Sequence, residues 1–114
     1  MDRIDDFLTA YSLALDEAAA LHAELEAAKT ALSRQYARLV LKAGGSQKMA
    51  EYAAEASEEY EQESVKLDDL RLRAGKARAK ADGMTARLEI WRSREATRRI
   101  NLQQRRDHNA NAEA

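Results

Sequence analysis

The sequence has no cysteine and no proline, and it has only four glycines among 114 residues. Without cysteine, neither disulfides nor thiolate metal sites can form. Without proline, no residue removes a backbone donor from a helix. Aromatic residues make up 5% of the chain and charged residues 34%. This composition is typical of long helices, and the length allows at most one domain.

Long apolar runs and a basic leader are missing as well. No run approaches the ~18 apolar residues that a membrane-spanning helix requires. Asp2, Asp5 and Asp6 stand where a signal peptide would carry its basic residues. The sequence therefore predicts a cytoplasmic protein with no membrane partner.

The residue combinations of common enzyme classes are also absent. The two histidines are His22 and His108, and no Glu-x-x-His pair is available for a helical di-iron site. There is no glycine-rich phosphate loop and no His-Glu-x-x-His motif. We therefore expect a protein that is not an enzyme, with no cofactor, no metal and no small-molecule substrate.

What the sequence does contain is one strong turn signal, Gly44-Gly45-Ser46, between two long helical segments. Glycine adopts left-handed backbone conformations at little cost, and serine is a favoured N-cap. The chain should therefore fold back here. We predict an all-α fold, a long antiparallel helical hairpin whose second helix is the longer, with helices over 2–43 and 47–106. The hairpin forms one domain over 1–108, and 109–114 is a disordered tail.

A second, weaker turn signal is Asp82-Gly83. A break there would create a third helix after Gly83. The helical phase of the apolar residues is the same on both sides of this glycine, which favours one continuous helix.

Both arms carry an apolar pattern whose steps alternate between four and three residues, which is typical of a coiled coil. In the first arm the predicted seam consists of Ile4, Leu8, Tyr11, Leu15, Ala18, His22, Leu25, Lys29, Leu32, Tyr36, Leu39 and Ala43. We expect His22 to be partly buried there. In the second arm it consists of Met49, Ala53, Ala56, Tyr60, Glu63, Leu67, Leu70, Ala74, Ala77, Ala81, Met84, Leu88 and Trp91.

The two seams match if the numbers of facing residues add up to 92. Tyr36 then faces Ala56, and large residues mostly face small ones. Lys29 falls opposite Glu63, and a buried pair of opposite charge would specify this register at some cost in stability. We therefore predict Lys29 and Glu63 as a register pair.

Net charge is −1, but it is unevenly distributed. Residues 1–64 carry 6 basic and 13 acidic side chains, and residues 65–114 carry 13 basic and 7 acidic ones. Complementary flanks of an antiparallel coiled coil explain this asymmetry for the residues before 85.

The end of the second arm is rich in arginine. By the predicted register Trp91 faces Met1, and nothing in the chain remains to cover the residues beyond Trp91. Segment 87–106 has seven arginines, which suit bidentate contacts to phosphate or carboxylate, and Trp91 adds a stacking surface. The alternative interpretation is a coiled coil with another subunit, in which these arginines are solvated flanks. The predicted surface for nucleic acid or an acidic partner consists of Arg87, Trp91, Arg92, Arg94, Arg98, Arg99, Arg105 and Arg106.

A second apolar stripe on the first arm predicts self-association. Phe7, Ala14, Leu21 and Ala28 lie beside the seam, and Tyr52 adds to them from the second arm. A lone hairpin would leave this stripe wet, and symmetric dimers are the commonest way to cover such a surface. We therefore predict a homodimer.

Residues 55 to 99 read EASEEYEQESVKLDDLRLRAGKARAKADGMTARLEIWRSREATRR. The features to note are Tyr60 in a glutamate-rich turn, a middle rich in alanine, lysine and arginine, and Trp91 followed by Arg-Ser. This run resembles small helical proteins from early or recombination regions of bacteriophages and prophages. The resemblance implies an accessory role in phage DNA metabolism or in countering a host system, in the host cytoplasm, and it transfers no catalytic residue.

These observations lead to one principal hypothesis and two alternatives. The principal one is a non-enzymatic helical protein that contacts DNA or a DNA-processing partner through segment 87–106. One alternative is an inhibitor of a host protein that docks through the acidic residues Glu51, Glu55, Glu58 and Glu59. The other is a structural coiled-coil spacer.

Overall fold

The computed structural model describes residues 3–113, with side chains from 3 to 112. In this part of the chain the regular elements are all α-helices: α1 spans Arg3–Ala43, α2 spans Gln47–Glu55, and α3 spans Glu58–Glu113. The predicted all-α class is confirmed. The chain divides into two compact units, the first ending at Ala81 and the second beginning at Asp82.

The turn between α1 and α2 lies where the sequence predicts it. Gly44 and Gly45 have φ angles of 65° and 77°, in the left-handed region that side chains with a Cβ rarely adopt. Ser46 then has an extended backbone, and its hydroxyl accepts a hydrogen bond from the Met49 amide at 3.3 Å. The glycines end α1, and the serine cap begins α2.

A second interruption lies between α2 and α3, where the sequence analysis predicts none. Ala56 closes α2 with φ −81° and ψ −6°, and the Ser57 amide donates to the Ala54 carbonyl at 3.2 Å. The Ser57 hydroxyl accepts from the Tyr60 amide at 3.2 Å and so caps α3. The third helix therefore begins at Glu58, after a serine cap, and not after Gly83.

Helix α3 then continues without a break through Gly83 to Glu113. A glycine in a helix interior costs about 1 kcal/mol relative to alanine, and the strong helix formers Ala81 and Met84 lie close by on either side of it. Residues 109–113, predicted to be a disordered tail, continue the helix, and no proline or further glycine follows Gly83 to stop it. Ala114 and the predicted helix start at Asp2 lie outside the described residues.

Within the first unit, α1 packs antiparallel against α3. Buried Leu21 contacts buried Ala74 and Ala77, and Ala18 and Leu25 pack against the same cluster. Leucine on one helix thus fills the space left by alanines on the other, which gives close interdigitation.

A pair of tyrosines joins α1 and α3 nearer the turns. The rings of Tyr36 and Tyr60 have centroids 5.5 Å apart and are tilted by 55°. Burial raises the pKa of Tyr36, and the negative charges of Glu51 and Glu55 raise it further.

The buried face of α1 differs from the predicted seam by one column of residues. Ala14 and Leu21 are buried, whereas Leu8, Leu15 and His22 are exposed. From the stripe predicted to need a second chain, Ala14 and Leu21 are therefore buried within the chain itself, whereas Tyr52 is 57% exposed. Both columns fit the spacing, and the buried one is the column without His22 and Lys29, whose polar groups would be costly to bury.

The predicted seam of the second arm is shifted before Ser57, it matches buried or partly buried residues from Tyr60 to Leu88, and its last residue, Trp91, is exposed. In α2 the buried residues are Ala50 and Ala54, while Met49, Ala53 and Ala56 are exposed. In α3 the predicted positions Leu67, Ala74, Ala77, Ala81, Met84 and Leu88 are buried.

The register is shifted by about one helical turn from the predicted value. The residue numbers of the Tyr36–Tyr60 contact add up to 96 and those of Leu21–Ala74 to 95, whereas the prediction was 92. The prediction assumed an unbroken second arm. The interruption at Ala56 and Ser57 adds chain length between the two seams, so a later residue of α3 faces each residue of α1.

The predicted register pair does not form. The Lys29 ammonium contacts Glu26 at 3.0 Å, and Glu63 contacts Lys66 at 3.3 Å, each on its own helix. The shift in register explains this, because Glu63 no longer lies opposite Lys29.

Candidate nucleic-acid interface

The arginine-rich segment 87–106 belongs to the second unit and lies entirely on α3. Of the described residues from 89 to 112, only Glu95 is partly buried, and the others are exposed. Trp91 is 44% exposed and Leu102 is 41% exposed. The predicted contact of Trp91 with Met1 involves a residue outside the described part of the chain.

The arginines form two rows along this helix. At 100° per residue, one row runs along one side and the other lies about 120° around the helix axis. The first row spans 18 residues and the second 14, or about 27 and 21 Å at 1.5 Å per residue. The first row consists of Arg87, Arg94, Arg98 and Arg105, and the second of Arg92, Arg99 and Arg106.

The strip between the two rows is largely apolar. It continues the line of Leu88 and contains Trp91, Glu95 and Leu102. A flat aromatic ring and a leucine are therefore bordered by guanidinium groups on both sides. The two rows lie about 120° apart around the helix axis. The rows and the strip between them therefore form one continuous surface on one side of the helix.

Only one of these arginines has an acidic partner within the described residues. Arg98 contacts Glu95 at 3.2 Å, three residues earlier on the helix. The nearby Asp107 accepts instead from the Gln103 side-chain amide at 3.2 Å. The segment therefore keeps most of its positive charge for an external partner.

The surface beside the first row is a shallow, open groove along one helix. Its lining combines hydroxyl, amide and guanidinium groups: Ser93, Arg94, Thr97, Arg98, Asn101 and Arg105. A single helix cannot enclose a small ligand, and specific sites for small molecules are concave and surround most of the ligand. This geometry suits an extended macromolecular partner.

The described residues include neither a metal site nor a membrane-spanning helix. Among the described residues, no group of three or more His, Asp or Glu side chains is arranged to hold a metal ion. His22, predicted to be partly buried, is exposed. None of the described helices combines the length and the apolar character needed to cross a membrane.

The predicted contact residues share one element of the structure. All eight predicted contact residues lie on one uninterrupted helix and are exposed. The sequence analysis did not single out Ser93, Thr97 and Asn101, which line the groove, although their spacing of four residues was visible. Comparison of the chain with protein-family models, with curated proteins and with solved structures found no match.

Proposed function

We propose that this protein is a non-enzymatic helical protein that binds double-stranded DNA through segment 87–106 of α3. The observation that carries the proposal is the pair of exposed arginine rows, of which only Arg98 has an acidic partner in the described part of the chain. Arginine forms bidentate contacts with phosphate, and such contacts supply most of the affinity of sequence-independent binding.

The spacing of the rows fits a helix that lies in a groove. The major groove of B-DNA is ~12 Å wide and admits an α-helix, with one phosphate backbone on each side. Rows about 120° apart can each contact one of these backbones. The strip with Trp91 and Leu102 then faces the base edges, where apolar side chains contact thymine methyl groups.

The resemblance to phage proteins agrees with this role. An accessory protein of phage DNA metabolism, acting in the host cytoplasm, would need a surface for DNA or for a protein already bound to DNA. This part of the proposal rests on the resemblance of residues 55–99 alone.

The rival role, docking to a host protein through acidic residues, has less support. Glu58, Glu59 and Glu61 lie in the first turn of α3, where negative side chains favourably oppose the positive end of the helix dipole. Glu51 accepts a hydrogen bond from Gln47. These contacts give the acidic cluster a structural explanation that does not require a partner.

The test is DNA binding measured over a range of salt concentrations. Replacing Arg94, Arg98 and Arg99 with alanine should weaken binding to any duplex, and should lower the slope of log K against log salt by about one per lost phosphate contact. Helix content, followed by circular dichroism, should not change.

A matched control removes the same charge elsewhere. The triple variant Arg34→Ala, Arg38→Ala and Lys42→Ala takes three exposed basic groups from α1. It should bind DNA nearly as tightly as the unsubstituted protein. Equal loss in both variants would mean that net charge alone attracts DNA, and no binding at low salt would reject the proposal.

A further inference from the structure

The second unit has another distinctive surface, an uncharged line along α3. Eleven of the 26 residues from 82 to 107 are charged, yet none of them lies on this line. Its steps alternate between three and four residues, so that it follows one face of the helix. Its members, all exposed, are Gly83, Ala86, Ile90, Ser93, Thr97, Ile100 and Gln104.

Three features show that this face is suited to contact. Ile90 and Ile100 are 53% and 57% exposed, so much of their apolar surface is in water. The Thr97 hydroxyl donates to the Ser93 carbonyl at 3.0 Å, which satisfies its polar group and leaves its methyl group as apolar surface. A Cβ added to Gly83 would meet nothing within 4 Å, so the packing of the chain itself does not require this glycine.

The charges beside this line are arranged as in a parallel coiled coil. In heptad terms the line supplies the a positions, such as Ile90, and the d positions, such as Ala86 and Ile100. Residues at g precede each a position, and residues at e follow each d position. Here the g positions 82 and 89 are acidic, and the e positions 87 and 94 are arginine.

This arrangement selects both the partner and its direction. In a parallel pair, each g position lies beside the e position five residues later in the other helix. Asp82 would then meet Arg87 of a second copy, and Glu89 would meet Arg94. In an antiparallel pair g faces g and e faces e, which would set acid against acid and arginine against arginine.

We propose that a second copy of this chain docks on this face, with the two α3 segments parallel and in register from residue 82 to residue 104. The small residues allow the helices to approach closely, and the isoleucines of one copy cover those of the other. This interface differs from the dimer predicted through Phe7 and Leu21 of α1, because it lies on α3. It shares Arg87 and Arg94 with the proposed DNA surface, so it is tested without DNA.

Cysteine cross-linking tests the interface directly, since the chain has no cysteine of its own. Ala86→Cys and Ile100→Cys are made separately and oxidised mildly. In a parallel pair in register, each d position lies next to the same residue of the other copy, so both variants should form disulfide-linked dimers. Dimers are read on a non-reducing gel, and circular dichroism confirms that each variant is folded.

Leu102→Cys is the matched control, because it has similar exposure and lies on the opposite face of the same helix. It should form few disulfide-linked dimers. Equally fast cross-linking of this control would reject the interface, and so would the absence of dimers in both test variants. If Ile100→Cys does not link to itself but links to Ile90→Cys in a mixed sample, the helices are antiparallel and the proposed direction is wrong, because an a position faces a d position in an antiparallel pair.

Charge exchange gives a second, independent measurement. Glu89→Arg alone should weaken self-association, measured by analytical ultracentrifugation without DNA, by roughly tenfold, because two symmetric attractions become repulsions. Arg94→Glu alone should do the same. The double variant Glu89→Arg with Arg94→Glu should recover most of the loss, and failure to recover would contradict the pairing of these two positions.

Discussion

The two units of this chain use the same helical period for different purposes. In the first unit, the buried residues of α3 are Leu67, Ala74, Ala77 and Ala81, which repeat at heptad spacing and are mostly alanines. In the second unit, beyond Leu88, the same spacing recurs in arginines on an exposed surface. A heptad spacing by itself therefore does not distinguish a buried packing face from an exposed surface. The chemistry of the residues that repeat is what separates the two.

The largest expected difference comes from the same substitution in each unit. Leu21 is 8% exposed and contacts Ala74 and Ala77, so Leu21→Ala should lower the free energy of unfolding by about 2 kcal/mol through lost burial and a residual cavity. Leu102→Ala, at an exposed position, should change it by less than about 0.5 kcal/mol. Urea denaturation followed by circular dichroism measures both.

The result for Leu102 can contradict the proposed difference between a buried face in the first unit and an exposed surface in the second. A loss as large as that of Leu21→Ala, in dilute protein without DNA, would show that the second unit has a core of its own around Leu102. The strip between the arginine rows would then be a packing surface, and the proposed DNA contact would lose its apolar centre.

A smaller difference is expected for two serines. The Ser57 hydroxyl accepts from the Tyr60 amide and donates to the Ala54 carbonyl at 2.8 Å, so it joins the end of α2 to the start of α3. Ser57→Ala should lower the free energy of unfolding by about 1 kcal/mol, as is usual for a lost N-cap. Ser93→Ala, within α3, should leave it within about 0.5 kcal/mol, because alanine favours helix.

Thermal unfolding of dilute samples provides the measurement for both serines. If Ser57→Ala is as harmless as Ser93→Ala, the interruption at Ala56 and Ser57 does not depend on the cap. The chain would then be able to join α2 and α3 into the single helix that the sequence analysis expects.

The turn at Gly44-Gly45-Ser46 could be predicted because it depends on local chemistry alone. Positive φ angles need glycine, and a helix start favours serine. The interruption at Ala56 leaves no such trace, since Ala56 keeps a right-handed helical backbone conformation that any residue can adopt. Its only signal in the sequence is Ser57 before Glu58, Glu59 and Glu61, since serine is a favoured N-cap and acidic residues favour the first turn of a helix.

The seam of α1 and the register could not be settled from sequence for a related reason. Leu8 and Phe7 head two neighbouring columns of apolar residues, and both columns satisfy the same spacing. Which column is buried depends on which residues of α3 lie opposite it. Those residues depend on the extra chain length at the interruption between α2 and α3. The arginine surface was easier to locate because exposed side chains do not depend on register. The line through Ile90 and Ile100 has a spacing that the sequence itself contains.

The smallest expected effect concerns a local ion pair, a feature that both units share. Lys29 contacts Glu26 at 3.0 Å in the first unit, and Arg98 contacts Glu95 at 3.2 Å in the second, each three residues apart. The hydrogen bond from Lys29, its positive charge and, to a lesser extent, His22 lower the pKa of Glu26. Ionised Glu26 therefore adds stability above its unfolded pKa, and this contribution is lost as pH falls through the folded pKa.

Lys29→Gln should raise the pKa of Glu26 toward the usual value for a glutamate, because it removes the first and largest cause of the shift. An NMR titration of the Glu26 carboxyl group measures this. Lys42→Gln, on the same helix but 16 residues away, is the control and should leave the pKa of Glu26 unchanged. If Lys29→Gln also has no effect, the lysine has another partner in solution. Glu63 would then be the first to examine, since that pairing would restore the register that the sequence analysis predicts.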